Sequence, residues 1–437
     1  MVAMSMNTAR ERVEGGFIAD AGRGGYPAFR MTRAIDPAAT PPHWLIAILA
    51  AVTATGPFAM QCFLPALPAI QRGFAVSTAT AQLTLSASMV AIAVGTLAYG
   101  PLSDRYGRRP VLLLGLVVFA VGSLACAFAP NVQTLIVARV VQAAGGAAGM
   151  VVARAVARDL YGPQRAAGVI ARLTTVMVVA PMVAPAIGGF VADQFGWRAI
   201  FVLVCAAGVV VIGAFGATFA ESHRPEHRID SPATMLRGFV QLLGSPRFVV
   251  LALYPAFSST IFFAFISGAP YVMVELLHRP ATEYGLYFVL VAGGFMLGNF
   301  AAVRLSERFE SFTLMTAGML IALAGVLTTI AFALLGQLEP LTLFAPMMVA
   351  QFGQGIGLPN AQAEVINVFP LRAGTASALT SFSQMMFAAV ASQILGVLQN
   401  GTPWPLLTLM SFGVVGALTA VGVARSMPYG QGSRDAV

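Results

Sequence analysis

The chain reads GPLSDRYGRRP over residues 100–110. Before it stands SASMVAIAVGTLAY, and after it VLLLGLVVFAVGSLACAFA, neither carrying a charge. Asp104, Arg105, Arg108 and Arg109 are thus confined to one turn between two apolar runs. The runs extend over 80–100 and 110–129. Each has about the 20 residues a helix needs to cross roughly 30 Å of hydrocarbon. The stretch reads as a charged loop joining two membrane-spanning helices.

Working outward, the same block length recurs along the chain. Of 437 residues, 58% are hydrophobic and 10% are charged. A soluble domain carries about 25% charged residues, so lipid is the main solvent expected here. The apolar blocks predict spans at 44–66, 80–100, 110–129, 133–156, 170–192 and 199–220. A polar stretch follows, then 248–273, 283–303, 312–335, 341–363, 374–398 and 403–425. The expected fold is all-α and integral to the membrane, with twelve transmembrane helices in two pseudo-symmetric six-helix halves. The domain reading is a disordered cytoplasmic extension at 1–42, an N-terminal half at 43–220 and a cytoplasmic linker at 221–247. A C-terminal half at 248–426 and a cytoplasmic tail at 427–437 complete it. Residues 1–42 lack the apolar core of a secretory signal.

Every basic residue is Arg, and the net charge is +8. With the N-terminus placed inside, the inner segments hold Arg105, Arg108, Arg109, Arg154, Arg158, Arg165 and Arg172. They also hold the linker arginines, Arg304, Arg308 and Arg372. The outer loops hold only Arg72, Arg198 and Arg279. This asymmetry predicts both termini on the cytoplasmic side. It also accounts for the positive charge without nucleic acid. Cys62, Cys126 and Cys205 are scattered through apolar runs, and the four histidines fall in connecting segments. Neither a metal site nor a disulfide framework is expected. The spans offer no nucleophile with a base, so no enzyme and no cofactor are expected.

The two halves echo each other. RVVQAAGGAAGM in span 4 is answered by MVAQFGQGIGLPN in span 10, both mixing Gln with dense Gly. Repeated six-helix halves imply a transporter with its site near the midplane, between them. GPLSDRYGRRPVLL resembles the loop 2–3 signature of the major facilitator superfamily, G-x-L-a-D-r-x-G-r-[r/k], and falls between the same two spans. FLPALPAI, QLTLSASMV, VVARAVARDLY, APAIGGF and GLPNAQA are similar to the bicyclomycin/chloramphenicol resistance group of drug/proton antiporters. VVAPMVAPAIGG resembles the antiporter signature G-P-x-x-G-G, here Pro181, Pro185, Gly188 and Gly189, with Ala184 replacing the first Gly.

The resemblance assigns roles. Gly100, Asp104, Arg105, Gly107, Arg108 and Arg109 form a conformational latch. Asp104 is implied to cap span 11, and Arg108 to bridge Asp104 to Asp159 at the end of span 4. Small Gly100 would permit close helix approach. Arg139 lies within a span, where a charge costs around 2.5–3.5 kcal/mol on insertion scales. It is implied to take part in proton coupling. The group carries an acid in span 1 where this chain has Gln61, which cannot titrate. Coupling candidates are therefore Arg139, Gln61, Gln142 and Glu364. At 1.5 Å per residue, Gln61 and Arg139 both lie roughly 7–9 Å below the outer face, which predicts that they are neighbours.

The remaining polar groups within the spans are neutral. Candidates for a substrate cavity are Met60, Phe257, Ser258, Phe262, Gln351, Gln354, Asn360 and Gln384. Met and aromatic side chains make adaptable apolar surfaces. The function expected is export of small amphipathic compounds from a bacterial inner membrane by a monomer, with proton coupling implied by the resemblance. The alternative is a metabolite facilitator or exchanger of the same fold with altered coupling.

Overall fold

A computed structural model describes residues 43–219, 221 and 232–427. The expected extension at 1–42, residues 222–231 of the linker and the tail from 428 onward lie outside the described residues. Among the described residues every regular element is helical.

The first half begins with α1 (His43–Cys62), a 3-10 turn (Leu64–Ala66) and α2 (Leu67–Phe74). Pro65 and Pro68 have no N–H to donate, so α1 gives way to a tighter path rather than running straight on. Span 1 thereby reaches Phe74, beyond the expected end at 66. Then come α3 (Thr78–Tyr106) and α4 (Arg108–Ala127). Ser77 starts α3 by accepting from Thr80 N at 3.2 Å. Such a cap satisfies one of the four orphan amides of a helix start.

α5 (Val132–Phe195) is helical without a break over 64 residues. Sequence reading expects two spans with a loop at 157–169. A straight helix would hold Arg139 and Gly188 about 74 Å apart. Yet both touch the same end of span 1. Arg139 lies 4.2 Å from the Phe63 ring centroid, and a Cβ on Gly188 would collide with the Cys62 carbonyl oxygen. The chain must double back within α5, which makes two passes. The first ends near Tyr161, and the second includes the apolar segment Val179–Phe195. α6 (Trp197–Thr218) completes the half.

The linker contains a helix that sequence reading misses, α7 (Pro232–Leu243). The second half follows with α8 (Pro246–Tyr271), a π turn (Val272–Leu276), α9 (Ala281–Leu305), α10 (Ser311–Leu334) and α11 (Pro340–Val368). A 3-10 turn (Pro370–Arg372), α12 (Ala373–Leu398) and α13 (Trp404–Ser426) end the chain's described part. Eleven helices are long and apolar enough to cross a membrane, and the second pass of α5 is the twelfth. The expected all-α fold with two six-helix halves is the fold observed.

The bundle has a face at which its described part begins and ends, the termini face, and an opposite, far face. Arg247 donates to Met427 O at 2.7 Å on the termini face. Polar contacts between the halves gather at the far face. Gln82 Nε2 donates to Ser267 O at 2.8 Å, and Ser86 Oγ to Gln393 Oε1 at 2.8 Å. Gln393 Nε2 donates to Ala79 O at 3.2 Å, and Arg72 pairs with Glu275 at 3.3 Å. At the other end of α3, a Cβ on Gly100 would meet no described atom within 4 Å. The close helix approach expected at Gly100 is absent in this conformation, in which the halves are joined at the far face.

Candidate functional site

The termini-face loop is built around Arg108. Its guanidinium pairs with Asp104 and with Asp159 Oδ2 at 2.9 Å, and it donates to Ser103 Oγ at 2.7 Å. Arg108 is 9% exposed, so these charge-assisted bonds form with little water between them. Gly107 adopts φ +95°, a conformation glycine takes without strain. A Cβ there would lie 2.7 Å from the Glu221 carboxylate. That carboxylate accepts from Arg108 N at 3.0 Å and Arg109 N at 3.1 Å, so it caps α4 from 113 residues away. Arg109 Nη2 donates to Gly216 O at 2.9 Å. Arg105 is exposed and lies over the Tyr106 ring. Glu221 and Ser103 belong to this cluster, and sequence reading missed both. Asp104 bonds within its own half, so the cap on span 11 is not made in this conformation.

Arg139 is the second constellation. It is 2% exposed, and its guanidinium lies over Phe63 and, at 5.8 Å, Phe201. One nitrogen donates to Gln142 Oε1, and Nε reaches Thr84 O at 3.5 Å. Gln142 Nε2 in turn donates to Ser123 Oγ at 2.7 Å. Among the described residues no carboxylate lies within ion-pair distance of Arg139. Its charge is met by neutral acceptors and by aromatic faces, a pairing that strengthens when desolvated. A small void of about 10 Å³ adjoins it and is lined by Gly56, Met60, Ser88 and Phe119 among others.

The expected pairing of Gln61 with Arg139 is not formed. Gly56, Ala59 and Met60 line the void beside Arg139. At 100° per residue, Gln61 points roughly 150° away from that line. Its Oε1 is buried without a partner. Span 1 runs on to Phe74, so the depth expected for Gln61 from an end at 66 does not hold, and position along a helix does not fix which way a side chain points.

The third constellation lies in the second half. Tyr254 of α8 packs on Gly357 of α11, and Phe265 meets Phe344 with ring centroids 5.2 Å apart. These two contacts fix the antiparallel register, and Ser258 then lies opposite residues 351–354. Ser258, Gln351 and Gln354 are 0%, 2% and 1% exposed. Ser258 Oγ, Gln351 Nε2 and Gln354 Nε2 all lack a hydrogen-bond partner. Buried polar groups are nearly always paired, so three orphans at one level call for an explanation.

The other cavity candidates do not join them. Phe257 is wedged against Phe387 of α12 and Phe412 of α13, where Gly416 leaves it room. Phe262 packs on Phe263 and Phe288. Asn360 donates back to Ile356 O, and Gln384 to Thr380 O, each on its own helix. Glu364 is 9% exposed near the termini-face end of α11.

The Pro181–Gly189 segment lies at the far-face junction. A Cβ on Gly189 would strike the Ala281 carbonyl, and one on Gly285 the Pro185 carbonyl. Span 5 of one half and span 8 of the other thus meet backbone to backbone.

The profile of the family described as the Major Facilitator Superfamily matches residues 49–392. The chain belongs to that superfamily. It is 27% identical to a bicyclomycin resistance protein homolog of Haemophilus influenzae, over 82% of this chain and 90% of the relative. It is 29% identical to a chloramphenicol resistance protein of Pseudomonas aeruginosa, over 90% and 95% respectively. A solved bacterial homolog of the human lysosomal transporter Spinster superposes with a TM-score of 0.70 at 19% identity, covering 88% of this chain and 96% of that one. As a superfamily member with many apolar helices, the chain is a multi-pass membrane protein.

Proposed function

We propose that this chain exports small, uncharged amphipathic compounds across the bacterial inner membrane by alternating access. The observation that carries the reading is the orphaned set Ser258, Gln351 and Gln354. It sits near mid-helix in α8 and α11, where transporters of repeated halves bind their substrates. The set has hydrogen-bonding capacity and no formal charge. Tyr254 and the Phe265–Phe344 pair continue the same α8–α11 seam on either side of it. The pattern of a few polar groups in an apolar wall suits amphipathic ligands. The named relatives support the same reading. The protein works as a monomer, without cofactor and without enzymatic chemistry.

The termini face is cytoplasmic in this proposal, on the strength of the arginine asymmetry. Reporter fusions after Pro130 and Asn400 are expected to read as periplasmic, and a cytoplasmic signal at either would overturn the topology. Asp104, Arg108 and Asp159 act as the latch that joins the halves when the far face opens.

A second reading is supported by Gln61. The position where the group carries an acid cannot take a proton here, so the chain would be a facilitator or exchanger with altered coupling. One experiment addresses both readings. A pump-deficient host expressing the chain is challenged with a compound panel at two external pH values. Resistance that rises with the pH gradient supports proton-coupled export. Resistance indifferent to it favours the second reading, and no resistance to any compound would overturn drug export.

A further inference from the structure

α9 starts at Ala281, and the residue before it is Pro280. Proline has no side-chain acceptor, so this helix cannot cap its own first amides. The cap comes instead from the other half. Asp193 Oδ1 accepts from Ala281 N at 3.3 Å. Its Oδ2 accepts from Thr282 N at 2.8 Å and from Thr282 Oγ1 at 2.6 Å. A carboxylate at a helix N-terminus meets both the orphan amides and the positive end of the helix dipole.

The reach of Asp193 depends on how close the halves stand. Gly189 lies one turn back on the same helix, and a Cβ there would strike Ala281. Gly285 lies one turn on along α9, and a Cβ there would strike Pro185. Two glycines, one from each half, therefore set a backbone separation that puts the carboxylate on the amides. Any opening of the far face pulls α5 from α9. It strips Asp193 of three donors and uncaps α9 in the same movement.

The other bonds across this face are of a weaker kind. Gln82, Ser86, Ser392 and Gln393 make neutral bonds. Arg72 and Glu275 pair with side chains 61% and 45% exposed, where an ion pair contributes little. Asp193 is exposed as well, but it collects three donors at a helix start, and hydrogen bonds to an ionised acceptor are roughly twice as strong as neutral ones.

We propose that Asp193 is a positioning residue of the transport cycle, a carboxylate latch that holds the far face closed by capping α9 from the opposite half. It is the far-face counterpart of the role that the superfamily resemblance gives Asp104. This rests on the alternating-access reading, and its test reads conformation separately from flux.

Spin labels are placed on the full chain in liposomes, in a background without Cys62, Cys126 and Cys205. One pair, at Phe128 and Leu335, reports the far face, and another, at Tyr106 and Leu371, reports the termini face. Asp193→Asn is expected to raise the far-face-open population at least threefold and to lower flux. Asp193→Glu, which keeps the charge, restores part of the closed population. Thr282→Val, which removes one of the three donors, gives a smaller shift in the same direction. Asp104→Asn does not reproduce the shift. Folded Asn and Val variants with the parental distance distribution would overturn the latch. A shifted distribution in a chain that moves no compound would keep the latch and overturn the transport reading.

Discussion

The two buried polar clusters of this molecule are built on opposite rules. In the first half, Arg139, Gln142, Ser123 and Thr84 form a closed chain of hydrogen bonds, with Phe63 over the charge. In the second half, Ser258, Gln351 and Gln354 are as deeply buried and have no partners. A satisfied network rigidifies its surroundings, whereas an unsatisfied one costs stability until something binds it. The difference separates a cluster that shapes its half from a cluster that awaits a ligand. It predicts that substitutions in the two will move stability in opposite directions.

The largest effect is expected at Arg139. Arg139→Ala deletes a long side chain from a packed interior and leaves Gln142 Oε1 without its donor. Stability should fall by about 2–4 kcal/mol, as for other large-to-small changes in cores. Flux should fall at least tenfold. Arg139→Met separates the two causes, because it keeps most of the packed volume while still leaving Gln142 Oε1 without its donor. Thermal unfolding in detergent should therefore cost Met less than Ala, while transport fails in both variants. Equal destabilisation by Met and Ala would mean that the charge itself holds the fold.

Gln351→Leu and Gln354→Leu should act the other way. Each removes a donor that is buried and unpaired, a state that costs about 1–3 kcal/mol. The variants should be as stable as the parent or more so, by roughly 1 kcal/mol on the same scale. Their apparent affinity for exported compounds that carry carbonyl or hydroxyl groups should fall about fivefold, the equivalent of one net hydrogen bond. Loss of stability in either would show that the amide has a partner in the membrane, and the comparison would collapse.

These two clusters also mark how far the sequence could be read. Arg139 and the glutamines of spans 4 and 10 stand out because a polar residue inside an apolar block is visible at once. The fold follows from the block length, and the Arg108 cluster from one signature. What stays hidden is contact across distance and angle. Glu221 caps α4 from 113 residues away, and Asp193 caps α9 from 88 or 89. No local pattern points at either, although Pro280 before a helix start marks a cap that must come from elsewhere. Gln61 stands two residues from Phe63, which Arg139 touches, but helical rotation sends the two side chains apart. The end-to-end helicity of α5 hides a reversal that only its contacts with span 1 reveal.

The smallest effect gives the sharpest form of the comparison, because it sets neighbouring residues against each other. Ser258 and Ser259 are both buried in α8. Ser259 Oγ donates to its own helix, at Ala256 O 2.7 Å away, and lies 3.2 Å from Gln384 O of α12. Ser258 Oγ has no partner and sits on the face that carries Tyr254 and Phe265. One turn of 100° separates the two hydroxyls, and it decides their roles. Ser259→Ala removes a satisfied hydroxyl, so stability should drop by about 0.5–1.5 kcal/mol. Ser258→Ala removes an unsatisfied group, so stability should hold or rise by a few tenths to about 1 kcal/mol. Transport should divide them in the reverse sense. Ser258→Ala should weaken apparent affinity about two- to threefold for ligands with an acceptor, while Ser259→Ala leaves affinity unchanged, since a serine hydroxyl contributes about one modest hydrogen bond. Measured side by side, melting and affinity should cross over between adjacent positions. If both variants lose stability and neither loses affinity, Ser258 is an ordinary packing residue, and the second-half cluster is not where the compound binds.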